Sequence, residues 1–403
     1  MGPKRLNKAN LYILAWCLYQ TQGLILPVGS LFGQILVIVL LLVSLYNIFV
    51  ANTRYKLPIY FYGLNTLLIM FSVYGVYLIL AGYSRMDYAI QVDQSLYLKQ
   101  VFISLSPIYS FFVFSKEGLI TEKSLLIWFF IFLGLTIGNY FENQRKLLYM
   151  AILRGSEAEE FTNNVGYEFL ALFPLCMFFY KKPILRYISL TVCIIFLFVT
   201  MKRGAIAIGI FCAILFLVNN MKKVSLKKKI GLIFLSATIC FIGSLFIEKK
   251  LQESVYFQKR IEDTINGNSS GRDRLYERFA NYFWNETSPM QFIFGSGANA
   301  TLKVSDNYAH NDWLEIAVNQ GILGGFIYLI YWILFLRVLS SKNYEPHVKL
   351  ALVILFVIYF LRTIISMSYN DMTVGATLVL GYCLAQEKKN EQIIYCSQTS
   401  FKK

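Results

Sequence analysis

The sequence predicts an all-α, polytopic membrane protein, and three observations carry that prediction. Of 403 residues, 57% are hydrophobic and only 15% are charged, which is too apolar for a soluble domain. Uncharged runs recur along the whole chain at the roughly 17 to 25 residues a helix needs to cross hydrocarbon. Lysine and arginine gather at alternate run ends, the pattern that keeps short basic loops on the cytoplasmic side.

About twelve spans follow in order: 11 to 27, 31 to 50, 58 to 81, 99 to 115, 124 to 141, 166 to 180, 184 to 201, 204 to 219, 230 to 247, 311 to 336, 349 to 369 and 372 to 385. Lys4-Arg5 and Lys8 before the first run resemble the start of a signal peptide. That run continues through Gln20-Thr21-Gln22 to Pro27 without a small-residue cleavage site, so it is kept as the first helix. The short sixth span and the tight seventh and eighth pair also admit tilted or re-entrant arrangements.

The basic clusters are Lys4-Arg5, Arg54 with Lys56, Lys116 with Lys123, Lys181-Lys182, Lys222-Lys223 with Lys227 to Lys229, Arg337 with Lys342 and Lys349, and Lys388-Lys389. All fall on one side when both termini are cytoplasmic. The other side then receives residues 82 to 98, 142 to 165, 202 to 203 and 248 to 310. Residues 1–247 therefore hold nine membrane helices, 248–310 a large outer loop with short helices, 311–385 three further helices, and 386–403 a polar cytoplasmic tail.

The net charge of +15 is largely this topology signal. Nucleic-acid binding is disfavoured because the charges are scattered over loops and form no single patch interleaved with aromatics. Cys17, Cys176, Cys193, Cys212, Cys240 and Cys383 lie in apolar runs and Cys396 in the tail, so neither a disulfide framework nor metal-ligand spacing is present. Walker, dinucleotide-binding and serine-nucleophile-elbow motifs are missing as well, and the lack of the first two argues against nucleotide-driven chemistry. Asp87 and Asp93 lack the tight spacing of a metal pair. Arg145-Lys146 and Arg154, followed by Glu157, Glu159 and Glu160, read as a mixed-charge lid or solvated surface.

The polar groups that can do chemistry fall on the outer side. Asn307-Tyr308-Ala309-His310-Asn311-Asp312-Trp313-Leu314-Glu315 leads into a membrane helix that passes Gly321, Gly324 and Gly325. Asp312 and Glu315 have capping-box spacing, so a helix begins just after His310. The positive helix end keeps the imidazole neutral and able to take a proton near neutral pH. His310 is then either a general base or an interfacial histidine bonded to a loop carbonyl, and these residues alone leave both open. His347, the other histidine, sits beside Pro346 in a loop assigned to the opposite side.

Asn266 to Gly271 is turn-rich, and Arg272 to Trp284 reads as an amphipathic helix that can lie on a membrane surface. Arg272, at the helix start, suits a phosphate. Arg274 and Arg278 suit either substrate or pairing with Asp273, Glu277 and lipid headgroups. Lys202-Arg203-Gly204 interrupts an apolar stretch where charge is costly unless functional or snorkelled. Arg362 is a further intramembrane charge, with Asp371 a candidate partner.

Three of these features resemble the O-antigen polymerase and O-antigen ligase superfamily of bacterial membrane glycosyltransferases. Lys202-Arg203-Gly204 is similar to its short basic turn between helices. Ser270-Gly271-Arg272 through Trp284, then Phe294-Gly295-Ser296-Gly297, is similar to the start of its large periplasmic loop. His310-Asn311 before Gly321 is similar to its histidine motif. Lys202 departs from the family, which often has a small hydroxyl residue there. The match spans roughly residues 200 to 335.

The resemblance implies a metal-independent, inverting glycosyl transfer at the periplasmic face of the inner membrane, with no cofactor. Arg203 and Arg272 would hold a polyprenyl diphosphate, and His310 would orient or deprotonate the acceptor. Lys202, Arg274, Arg278, Asn311 and Arg362 would complete substrate binding. Expected partners are lipid-linked oligosaccharide donor and acceptor, membrane lipids and a chain-length regulator protein. A polymerase is preferred to a ligase acting on a lipid core, and an oligosaccharyltransferase acting on protein is a third option. From another class, a flippase or secondary transporter also accommodates twelve helices, but no internal repeat is visible.

Overall fold

The computed structural model describes residues 7–22, 29–80, 94–154, 163–221, 262, 271–305 and 307–388. These are helical, and no strand occurs among the described residues. The expected span 230 to 247, Cys240, Asp87, Asp93, the Lys222 to Lys229 cluster, the 266 to 270 turn and the tail beyond 388 lie outside them.

In chain order the helices are α1 (Lys8–Gln20), α2 (Leu31–Arg54), α3 (Tyr60–Leu80), α4 (Gln94–Leu105), α5 (Pro107–Lys116), α6 (Glu122–Arg154), α7 (Gly166–Ala171), α8 (Phe173–Cys176), α9 (Pro183–Val199) and α10 (Arg203–Met221). Then follow α11 (Arg272–Asn281), α12 (Pro289–Phe294), α13 (Thr301–Val304), α14 (Asp312–Ser340), α15 (Pro346–Ile365) and α16 (Val374–Ala385). Among the described residues, seven helical stretches are long and apolar enough to cross a membrane, and three shorter apolar ones accompany them.

The expected spans that fall within the described residues reappear as helices, with local changes that have physical causes. The 99 to 115 run divides at Ser106, before Pro107, into α4 and α5. The 166 to 180 run divides at Leu172, before Phe173-Pro174, and ends in a 3-10 turn at Met177–Phe179. Proline at a helix start is compatible with the next helix but removes a backbone donor from the previous one. α6 does not stop where its apolar run ends. Arg145 and Lys146, expected in a loop, continue the helix and pair with Glu142 at 2.9 and 3.5 Å, the three- and four-residue spacing that favours helix.

Small residues bring the helices together, as they do where lipid supplies no hydrophobic drive for association. A Cβ on Gly381 would stand 2.7 Å from the Ile108 carbonyl oxygen, so α16 lies directly on α5. A Cβ on Gly63 would stand 3.1 Å from Tyr331 Cα. There α3 meets α14, and the Tyr60 and Tyr331 hydroxyls share a hydrogen bond of 2.6 Å.

Polar contacts divide the helix ends into two groups. At one end, Lys8 pairs with Glu117, Lys116 donates to the Ala385 carbonyl, and His347 contacts Glu122 at 2.8 Å while stacking on Tyr180. Lys8 and Lys116, two basic residues of the expected positive side, thus share one end. At the other end lie Lys202, Arg272 and His310. Residues 271 to 320 build a second, smaller core there from Phe279, Phe283, Ala300, Ala309 and Val318. The apolar face of α11 is used in that core. The helix ends at Asn281 and gives way to a π-turn over Tyr282–Glu286.

Candidate active site

The C-terminal carbonyls of a helix have no partner within it, and at the end of α15 they organise the site. Ile365 O accepts from Arg272 Nη1 at 2.6 Å. Ile364 O accepts from Asn311 Nδ2 at 3.1 Å and from the Tyr276 hydroxyl at 3.4 Å. That hydroxyl also lies 3.4 Å from the His310 carbonyl. The negative end of α15 therefore attracts a guanidinium, while three side chains from two outer segments converge on two peptide oxygens.

Lys202-Arg203-Gly204 reaches the same point. A Cβ on Gly204 would stand 2.7 Å from the Tyr167 hydroxyl and 2.9 Å from Ile365 Cδ1, so only glycine lets the start of α10 approach this closely. Lys202 Nζ donates to Asn164 Oδ1 at 2.7 Å and lies 5.8 Å from the centre of the Tyr167 ring. Arg203 is the first residue of α10, half-buried.

His310 is held between these groups in a left-handed backbone conformation, φ 52°. A residue other than glycine in that region costs on the order of 1 to 3 kcal/mol and persists only where its surroundings fix it. They do so on both sides: Ala309 N donates to Glu315 Oε2 at 2.9 Å, and Asn311 caps α14 by accepting from Trp313 N and Leu314 N. The imidazole is half-buried, and its pKa falls below the usual histidine value. Burial is the main cause, with the charges of Arg272 and Lys202 adding to it. The sequence argument expected a neutral ring from the helix end. The ring is held neutral chiefly by burial and by two neighbouring cations.

The capping expectation needs correction, because Asn311 is the cap. Asp312 is buried and accepts from Ser368 N, Ser368 Oγ and the Tyr328 hydroxyl at 2.9, 2.7 and 2.7 Å. Glu315 turns inward to Thr301, Ala309 and Asn319. Both carboxylates tie the histidine loop to the rest of the fold. The Ser368 partner of Asp312 lies too far along the chain for local spacing to reveal it.

α14 is also interrupted where continuity was expected. Gly321 has φ 69° and ψ −168°. The freed carbonyls of Val318 and Asn319 accept from Ser296 N at 2.9 Å and Gly297 N at 3.0 Å. The Phe294 to Gly297 turn is thus inserted into the break. A Cβ on Gly321 would stand 2.4 Å from Ile293 O, and one on Gly295 would stand 2.3 Å from Asn319 O.

The remaining candidates separate. Arg362 is buried and engaged by the Asp371 side chain and by the Met367 and Asp371 carbonyls, and it stacks 4.4 Å from the Tyr167 ring centre. Arg274 and Arg278 are exposed, and Arg278 pairs with Glu286 in place of the expected Glu277. Neither lies four residues from Arg272, as Tyr276 does, so neither shares its face of α11. Tyr167, Tyr276 and Asn164 were missed. Only Tyr276, one turn beyond Arg272, carried a usable signal. The groups gathered at the site are cations, amides, two phenols and the His310 imidazole, and the nearby Asp312 and Glu315 carboxylates turn inward to other partners.

Residues 188–329 match the O-antigen ligase family model. The match bears out the resemblance and is consistent with the O-antigen polymerase and ligase superfamily. It takes in Lys202, Arg203, Arg272, His310 and Asn311 and ends eight residues beyond Gly321. Arg362 and the end of α15 lie outside it. The O-antigen ligase match, together with the membrane-length helices among the described residues, indicates a membrane protein with polymerase- or ligase-type function. No curated protein matches the chain.

Proposed function

We propose that the protein is a polysaccharide polymerase of the bacterial inner membrane, working at the periplasmic face. It transfers glycan from a polyprenyl diphosphate to a hydroxyl of a lipid-linked repeat unit. The observation that carries this reading is the convergence of Arg272, Asn311 and Tyr276 on the Ile364 and Ile365 carbonyls, with His310 in the field of Arg272 and Lys202.

An imidazole nitrogen of His310 takes the proton of the acceptor hydroxyl. The oxygen attacks the anomeric carbon, the bond from that carbon to the diphosphate oxygen breaks, and the diphosphate leaves with the electron pair. Attack opposite the leaving group inverts the anomeric centre. Arg272 has one donor on Ile365 O, and the others of its guanidinium can meet the phosphate. With Arg203 and Lys202 it offsets the charge that develops on the leaving group, so the proposed reaction needs no metal. Arg362 contributes through Tyr167, which it holds against the Lys202 turn. Arg274 and Arg278 receive no part at the diphosphate.

The family description favours a second reading, in which a finished glycan moves to a lipid core. One experiment separates them. His310→Ala is expressed in cells lacking the native copy, protein abundance is checked, and the polysaccharide is run on a gel. Loss of a general base lowers rates by roughly 10² to 10⁴, so single repeat units are expected at normal abundance. Long chains stalled on the carrier would establish the ligase. An unchanged ladder would remove His310 from the reaction.

A further inference from the structure

Beside the cation cluster, on the far side of Asn164, lies a polar cavity of about 360 Å³. It is walled by the ends of α1, α6, α7 and α15 and by the segment before α16. Ligand cavities run from about 300 to 1,000 Å³ and are mostly apolar. This one is small and unusually rich in carboxamides: Asn139, Asn143, Asn164, Gln20 and Gln22 all line it.

A carboxamide presents a donor and an acceptor side by side, which matches paired sugar hydroxyls and the acetamido group of an amino sugar. The charges in the wall largely cancel. Lys146 pairs with Glu142, and Arg362 with Asp371. Glu168 is left: Asn139 donates to it at 3.2 Å, and no cation pairs with it among the described residues. Asn139 occupies one of the several lone-pair positions of a carboxylate, leaving others for hydroxyl or amide donors. A sugar carboxylate or phosphate would set its acceptor oxygens against those of Glu168, while both cations of the wall already have carboxylate partners. The cavity also joins the reaction site directly, because Asn164 accepts from the same Lys202 whose charge reaches His310.

We infer that this cavity is a glycan subsite that selects a neutral or N-acetylated sugar of the substrate and rejects uronic acids. The inference rests on the proposed glycosyl transfer, but its test does not depend on turnover. The full-length protein in nanodiscs is titrated with N-acetylglucosamine and with glucuronic acid, and saturation transfer to each sugar is followed by NMR.

N-acetylglucosamine should bind the parent protein and His310→Ala equally. Asn143→Ala and, on another wall, Gln22→Ala should bind it roughly three- to tenfold more weakly, the effect of losing a hydrogen bond. Glucuronic acid should bind only after Glu168→Gln. Equal binding of the two sugars to the parent, or binding indifferent to Asn143 and Gln22, overturns the subsite. If the subsite variants behave as expected while His310→Ala leaves the polysaccharide ladder intact, the transfer mechanism fails and the sugar site stands.

Discussion

Peptide oxygens carry no signature in a sequence, yet those of Ile364 and Ile365 gather the site. His310 and Arg272 were legible because ionisable groups are rare in so apolar a chain, and Lys202-Arg203 because it breaks a run. Their convergence was not legible, since it depends on oxygens any residue could supply. The partners of Asp312 were hidden for a related reason: Ser368 lies 56 residues away. The field on His310 yields a prediction with a definite sign. Activity that needs the neutral ring falls as pH drops through the lowered pKa. Lys202→Met removes one cause of the lowering, so the pKa rises toward the ordinary value and the acidic limb of kcat/KM moves to higher pH. A limb that stays in place would show that Lys202 does not act on His310.

Among the helices, hydrophobic runs foretold existence and order well, because desolvated backbone in hydrocarbon has few options but helix. They could not foretell the break in α14. Gly321 sits in a glycine-rich stretch with Gly324 and Gly325, and only the inserted Phe294 to Gly297 turn distinguishes it. Gly321→Ala places a methyl group against Ile293 O and forces a strained φ, which costs about 1 to 3 kcal/mol before the clash is counted. The expected result is a lower unfolding temperature in detergent. Gly325→Ala, whose Cβ would meet nothing within 4 Å, should leave that temperature nearly unchanged. Equal effects would mean that the turn is not seated on Gly321.

Across the whole molecule the two histidines mark opposite ends of one helix. Asn311, next to His310, binds Ile364 O near the C-terminus of α15, whereas His347 lies at its start against Glu122 and Tyr180. The alternation of basic loops had already set them on opposite sides. What it could not supply was the role of His347 as a tie between α6 and α15. His347→Ala should lower thermal stability, because it removes the Glu122 contact and the Tyr180 stack, while the polysaccharide length pattern stays that of the parent. Loss of polymer at normal abundance would mean that chemistry is not confined to the other end.

α15 also acts as a depth gauge. Its 20 residues rise about 30 Å, close to the thickness of the hydrocarbon layer. With His347 anchored at one boundary, the carbonyls that hold Arg272 and Asn311 arrive at the other. A lipid carrier of the proposed reaction, anchored by its tail, would present its diphosphate at that level. Under that proposal the substrate would need no lifting toward water or drawing into the bilayer, only lateral diffusion to the end of α15.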